Sequence, residues 1–132
     1  MVLYIHQQTP SNGFSLIELL CVLSLVGLLT TLAYPSYTKH LAHARRIDGQ
    51  SALLDLATRL EAHHMHQNTY EHLKPNTSTS PGGWYQLKII RATKNNYILE
   101  ASAIGPQAKL DSQCKSLTLD ANGHEGPQAS CW

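Results

Sequence analysis

The sequence predicts an α+β fold: one long N-terminal helix, then a small antiparallel sheet packed on the helix's second half. Three observations predict it. From Phe14 to Ala33, fourteen of twenty positions are apolar and none is Lys or Arg. Farther on, Leu53, Leu56/Ala57, Leu60 and His64/Met65 recur at three-to-four spacing and form one apolar stripe. Beyond Gly83, short segments with period-two alternation are separated by turn residues, as antiparallel strands are.

The elements follow in chain order. Residues 1–13 (MVLYIHQQTPSNG) are polar in their second half and end in Ser-Asn-Gly. Residues 14–34 form the apolar run, whose ionisable groups are Glu18 and the thiol of Cys21. At the helical rise, twenty residues reach about 30 Å, the thickness of a bilayer's hydrocarbon core. Pro35 removes a helical hydrogen bond and crowds the carbonyl four residues back, while Gly27 lowers local helix stability. Since the stripe beyond Pro35 has no stop signal before it, Gly27 and Pro35 are read as weak points within one helix from Phe14 to about Met65. Asp48 and Asp55 alternate with Arg45, Arg46, Arg59 and Glu61 on other faces, the pattern of a solvated flank. Residues 68–83 are rich in Asn, Thr, Ser, Pro and Gly and read as a loop. Along a first strand Trp84, Gln86, Lys88 and Ile90 share one face, and Tyr85, Leu87 and Ile89 share the other. Asn95-Asn96 turns the chain, and Tyr97, Leu99, Ala101 and Ala103 alternate along a second. Leu117 and Leu119 mark a third strand, and Asn122-Gly123 signals a tight turn into a short last segment.

Length and composition narrow the function. With 132 residues the chain holds one domain. A net charge of +1 argues against a general nucleic-acid binder, and all ten Lys and Arg residues lie after Pro35. Nucleophile elbow, phosphate loop and paired catalytic carboxylates are all missing, so no enzyme activity is expected. Eight histidines are many for this length. His63, His64, His66 and His72 cluster near the helix end, and His40 and His43 stand one turn apart. No Cys or carboxylate completes a ligand set around them, so neither metal nor cofactor is expected, and a solvated, pH-sensitive helix face is the reading. Two cysteines, Cys114 and Cys131, bracket the C-terminal tail, and the third lies in the apolar run. That arrangement suits an exported protein with one disulfide, which in a thin sheet contributes about 3 kcal/mol.

The leader reverses the order of an ordinary secretory signal, because its glycine precedes the apolar stretch. Cleavage there leaves the hydrophobic helix on the mature protein. Gly13-Phe14-Ser15-Leu16-Ile17-Glu18-Leu19 resembles the prepilin signature of the type IV pilin family. The resemblance implies that a prepilin peptidase cuts between Gly13 and Phe14 and that Phe14 is then N-methylated. It also implies three regions: a leader over 1–13, a transmembrane and filament-core helix over 14–34, and a periplasmic or extracellular globular domain over 35–132. Glu18 is expected to meet the new Phe14 amine of a neighbouring subunit and so set register, since an intramembrane carboxylate is costly without a partner.

Tyr34-Pro35-Ser36-Tyr37, Arg45-Arg46 and the Gly49–Leu54 stretch are similar to the helix of PilE-type minor pilins. The set Asp111–Cys114, Leu117–Asp120, Gly123 and Cys131-Trp132 is similar to the end of those proteins. The expected fold is therefore the type IV pilin fold with a disulfide-stapled C-terminal loop. The expected function is that of a structural minor pilin serving pilus assembly and pilus-dependent motility, adhesion or DNA uptake. Its expected partners are other pilin subunits and the prepilin peptidase/N-methyltransferase. The chain would sit in the inner membrane of a Gram-negative bacterium before assembly and in an extracellular pilus afterwards. Two alternatives are a DNA-binding competence pilin and a pseudopilin of a type II secretion system. For the first, Lys88, Arg91 and Lys94 gather around the first hairpin, with Lys109 and Lys115 as further candidates and Trp84 or Tyr97 as stacking groups. The near-neutral net charge favours ordinary solvated strand charge over DNA contact at these residues.

Overall fold

Helix α1 runs from Leu16 to Gln67, with Pro35 inside it. The computed structural model describes residues 13–73 and 79–132. Residues 1–12 of the expected leader and 74–78 of the expected central loop lie outside the described residues. The chain divides between Pro35 and Ser36 into two units, taken here in turn.

In the first unit the helix is apolar all round and its large side chains are exposed, Leu16 at 76% and Leu28 at 68%. An 18-residue window reaches a mean hydropathy of 2.3, so by length and composition the helix can cross a membrane. Its few hydroxyls are satisfied within the helix. Ser24 donates to the Cys21 carbonyl at 2.8 Å, Thr30 to Gly27 at 2.8 Å and Thr31 to Leu28 at 2.7 Å. Such back-bonding keeps polar groups tolerable where no water reaches.

In the second unit, α1 buries Ala52, Leu53, Leu56, Ala57 and Leu60 against the sheet. Met65 does not complete the stripe. It is 82% exposed, while His64 turns inward to stack on Tyr70 at 4.2 Å. The helix ends where Asn68 takes a left-handed φ of 53° and donates its N–H to the His64 carbonyl at 2.8 Å.

Strands β1 (Tyr85–Ala92), β2 (Tyr97–Ala103), β3 (Ser116–Asp120) and β4 (Glu125–Gly126) form one antiparallel sheet in that order. Tyr85, Leu87, Tyr97, Leu99, Ala101, Leu117 and Leu119 fill its inner face. Burying side chains of this size contributes about 1.5–3 kcal/mol each before conformational entropy is subtracted. The connection from β2 to β3 holds a short helix, α2 (Pro106–Leu110), which the loop residues around it do not signal.

The flank of α1 is not simply solvated. Arg46 forms a two-pronged ion pair with Asp111, Nε to Oδ2 and Nη2 to Oδ1, both at 2.8 Å, and also donates to the Ser130 carbonyl at 3.2 Å. Gln50 donates to the Cys131 carbonyl at 3.0 Å, and the buried Gln107 amide donates to the Ala42 carbonyl at 2.9 Å and the Tyr85 hydroxyl at 3.2 Å. Asp48 accepts from the Ser80 hydroxyl and from the Gly82 N–H, fixing the entry to β1. Arg45 lies over the Trp84 ring at 3.7 Å. The alternating charges therefore tie the helix to the loops at one end of the sheet, where β1 begins and β2 ends. Cys114 and Cys131 are joined in a disulfide, closing the tail that Arg46 and Gln50 hold from the helix side.

Candidate functional site

Two features carry chemistry beyond the core: the apolar helix start and the outer face of the β1–β2 hairpin. At the helix start, Gly13 and Phe14 are exposed and precede the helix, and Glu18 lies in its first turn. The Leu19 N–H donates to the Ser15 carbonyl at 3.1 Å, so the helical pattern begins directly after the signature's glycine and phenylalanine. Glu18 is an exposed carboxylate on a helix whose other first-turn neighbours, Leu16, Ile17, Leu19 and Leu20, are exposed hydrocarbon.

The hairpin is shaped by a β-bulge. Lys88 pairs across from Glu100 and Ile89 from Leu99, but Arg91, not Ile90, pairs with Ile98. Ile90 is the extra residue. In a regular strand, positions 88 and 91 would point to opposite faces. The inserted residue restores parity, so Lys88 and Arg91 both lie on the outer face with Glu100 and Ile98. Lys94 sits exposed in the connecting turn, which Thr93 braces by donating its N–H and its hydroxyl to the Asn96 carbonyl at 2.8 and 3.0 Å. The three cations thus occupy one outer face and the turn that caps it. Glu100 is drawn aside by the Ser116 hydroxyl, which donates to it at 2.6 Å.

The other candidates do not join this strip. The Ala103 N–H donates to the Lys115 carbonyl at 2.6 Å, which puts Lys115 at the far end of β2 from the turn, and Lys109 is on α2. Tyr97 is 4% exposed, edge-on to Tyr70 at 5.0 Å, so it belongs to the core and has no free face for a base. One face of Trp84 is taken by Arg45. Burial pushes the Tyr97 hydroxyl up to about 12, and burial likewise raises Tyr70 and Tyr85.

The helix end reaches the same turn. The Tyr70 N–H donates to the Thr93 carbonyl at 3.3 Å, and the Tyr70 hydroxyl donates to Glu61 at 3.1 Å. His63 Nε2 donates to the Glu71 carbonyl at 3.2 Å, and His72 takes a left-handed φ of 69°. Among the described residues no group of three His, Cys, Asp or Glu side chains is placed to hold a metal ion.

A long helix, apolar at its start and buried along one stripe later, lies against a four-stranded sheet with a stapled tail; this is the architecture of a type IV pilin. The chain belongs to the family described as type IV minor pilin ComP, DNA uptake sequence receptor, which matches residues 35–118. The prokaryotic N-terminal methylation motif matches residues 9–34. A crystal structure of the non-core minor pilin PilV of Neisseria meningitidis has the same fold, with a TM-score of 0.53 at 16% identity over 70% of this chain and 95% of that one. The protein is a type IV minor pilin. Sequence reasoning had the three cations of the hairpin but not the bulge that aligns two of them, because Ile89-Ile90-Arg91 contains no glycine or other bulge signal.

Proposed function

We propose that this minor pilin binds duplex DNA through the outer face of its β1–β2 hairpin. The observation that carries the reading is the bulge at Ile90, which sets Lys88 and Arg91 on one face beside Lys94. The family's description as a DNA uptake sequence receptor supports the choice of ligand. Each cation engages a phosphate, releasing a condensed counterion and giving binding a steep salt dependence. Phosphate contacts position the protein and carry no sequence information, so base recognition belongs to other groups. The role is binding and assembly, not catalysis.

The remainder of the reading concerns assembly. Prepilin peptidase cleaves between Gly13 and Phe14, and Phe14 becomes the N-methylated end of a 119-residue mature chain, the 132 residues less the 13 of the leader. The methylation-motif match over residues 9–34 supports this. Residues 14–34 hold the subunit in the inner membrane of a Gram-negative cell and later line the filament core, while 35–132 forms the extracellular domain. Gly27 and Pro35 give the helix its pliable stretch.

The test is an electrophoretic mobility shift of duplex DNA with the mature chain in detergent, against a Lys88→Glu/Arg91→Glu/Lys94→Glu variant. The variant is expected to bind at least tenfold more weakly and to show a salt slope shallower by about 2–3. Equal retardation by the two proteins refutes the hairpin as the contact.

A further inference from the structure

The end of the globular unit where β1 begins and β2 ends holds charge that neither the core nor the hairpin uses. Gln107 donates to the Ala42 carbonyl at 2.9 Å and Asp111 pairs with Arg46, so α2 is fixed to α1 along Ala42–Arg46. On that face of α1, Lys39 stands one turn before Ala42. Lys109 and Leu110 are exposed on α2, and Leu110, at 41% exposure, takes no part in the core. Lys115, also exposed, lies at the same end, because its carbonyl accepts from the Ala103 N–H that closes β2. We infer that Lys39, Lys109, Leu110 and Lys115 form a docking surface for the anionic lipid headgroups of the membrane in which the subunit resides before assembly. This rests on the reading of residues 14–34 as a membrane anchor.

Charge and position together select the partner. The cations at this end are Lys39, Arg45, Arg46, Lys109 and Lys115 and the carboxylates are Asp48 and Asp111, a net charge of +3 (five less two). Arg46 takes Asp111, while the Ser80 hydroxyl and the Gly82 N–H take Asp48. Glu100, farther along β2, faces Lys88 across the strands and accepts from Ser116. The terminal carboxylate follows Cys131, whose carbonyl is held by Gln50, about two helical turns past Ala42. Among the described residues, Lys39, Lys109 and Lys115 enter no ion pair. The apolar run ends at Tyr34, and Tyr37, 66% exposed, follows within about 11 Å of even fully extended chain. An exposed tyrosine at such a place lies at headgroup level. From Tyr37 the helix rises only about 7.5 Å to Ala42, where α2 is packed, a distance inside the Debye length of about 10 Å. A surface of anionic lipid favours each nearby lysine by about fivefold, and Leu110 supplies an apolar group for the interface. Duplex DNA carries phosphate too, but headgroups are held at this depth whenever the anchor is inserted.

The mature chain is reconstituted in lipid nanodiscs of phosphatidylcholine, alone or in equal parts with phosphatidylglycerol, at about pH 8, where imidazoles are neutral. Reaction of each lysine with a water-soluble acylating reagent is followed by mass spectrometry, and flotation with vesicles of both compositions reports the anchor separately. In the anionic discs Lys39, Lys109 and Lys115 are expected to react at least about fivefold more slowly than in the neutral discs. Lys94, roughly 25 Å away along β1, is expected to react alike in both. Lys109→Glu/Leu110→Glu changes only exposed side chains of α2, and it is expected to free Lys115 while Lys39 stays slow. Equal rates for the three lysines in the two lipids, or slowing of Lys115 that survives the double variant, overturn the docking surface while leaving the anchor reading intact. Slowing by duplex DNA in neutral discs as strong as that by phosphatidylglycerol overturns it as well and gives the surface to nucleic acid. Absence of flotation with vesicles of either composition instead defeats the anchor reading, and the inference with it.

Discussion

Gly49 lets α1 lie against the ring of Tyr85, and a Cβ there would stand 2.8 Å from two ring carbons. Helix propensity alone would reward Gly49→Ala by up to about 1 kcal/mol. The ring is fully buried and pinned through its hydroxyl by Gln107, so overpacking of about 1–3 kcal/mol wins. Gly49→Ala should therefore lower the denaturant midpoint of the mature chain, and an unchanged midpoint would mean that Tyr85 gives way. Asp111 offers a larger effect. It and Arg46 retain only 7% and 15% of their side-chain exposure, so Asp111→Ala leaves a buried guanidinium unpaired, at about 3–5 kcal/mol. Equal stability of variant and wild type in chemical unfolding would contradict that accounting. The tyrosines predict an alkaline limit. Because Tyr97 titrates at about 12 in the fold against 10.0 when free, its contribution is complete below pH 10 and is lost as pH rises toward 12. Tyr97→Phe, which cannot ionise, should flatten the fall in stability across that window, and an identical decline in both proteins would place the cause elsewhere.

The bulge is a property of the strand rather than of any one side chain. Deleting Ile90 restores regular pairing with Arg91 still opposite Ile98 and two positions from Lys88, so the common outer face is kept and both the thermal midpoint and DNA affinity should stay near wild type. Ile90→Thr keeps the extra residue and should retain both. If the deletion lost DNA binding while keeping its thermal midpoint, the common face of Lys88 and Arg91 would not be what DNA reads. The tail is an element of the same kind. Reducing the Cys114–Cys131 disulfide should cost about 2–5 kcal/mol, measured as a midpoint shift with and without reductant. These two elements differ in how far the sequence reveals them. The long helix, the strand alternation from Tyr85 to Leu119 and the cysteine pair were legible because period and pairing are written in residue types. The bulge, α2 and the Arg46–Asp111 pair were not. A bulge without glycine leaves no local mark, and an ion pair between residues 65 apart depends on packing that no local pattern records. The same gap explains why Arg45 and Arg46 read as solvated flank, and why Tyr97 looked available for stacking.

At the scale of the whole molecule, one residue conflicts with its surroundings in a way the single chain does not resolve. Glu18 sits in a helix whose spanning window has a mean hydropathy of 2.3 and no buried residue, and a carboxylate at such depth costs several kcal/mol unless paired. The proposed cleavage after Gly13 would create a cation, the Phe14 amine, about one helical turn from Glu18, and the pairing we propose is with the Glu18 of a neighbouring subunit. If the pairing is between subunits, charge neutralisation is available only in register, and the carboxylate selects the assembled state rather than stabilising the monomer. Glu18→Gln keeps size and hydrogen-bonding capacity but removes the charge, so it should leave cleavage at Gly13–Phe14 intact by mass spectrometry while lowering recovery in sheared filaments at least tenfold. Glu18→Asp, which keeps the charge on a shorter arm, should recover part of the loss. Wild-type recovery of the Gln variant would show that the carboxylate is a passenger near the headgroups. Loss of cleavage in that variant would instead place Glu18 in recognition by the peptidase, and the apolar helix would then owe its register to packing alone.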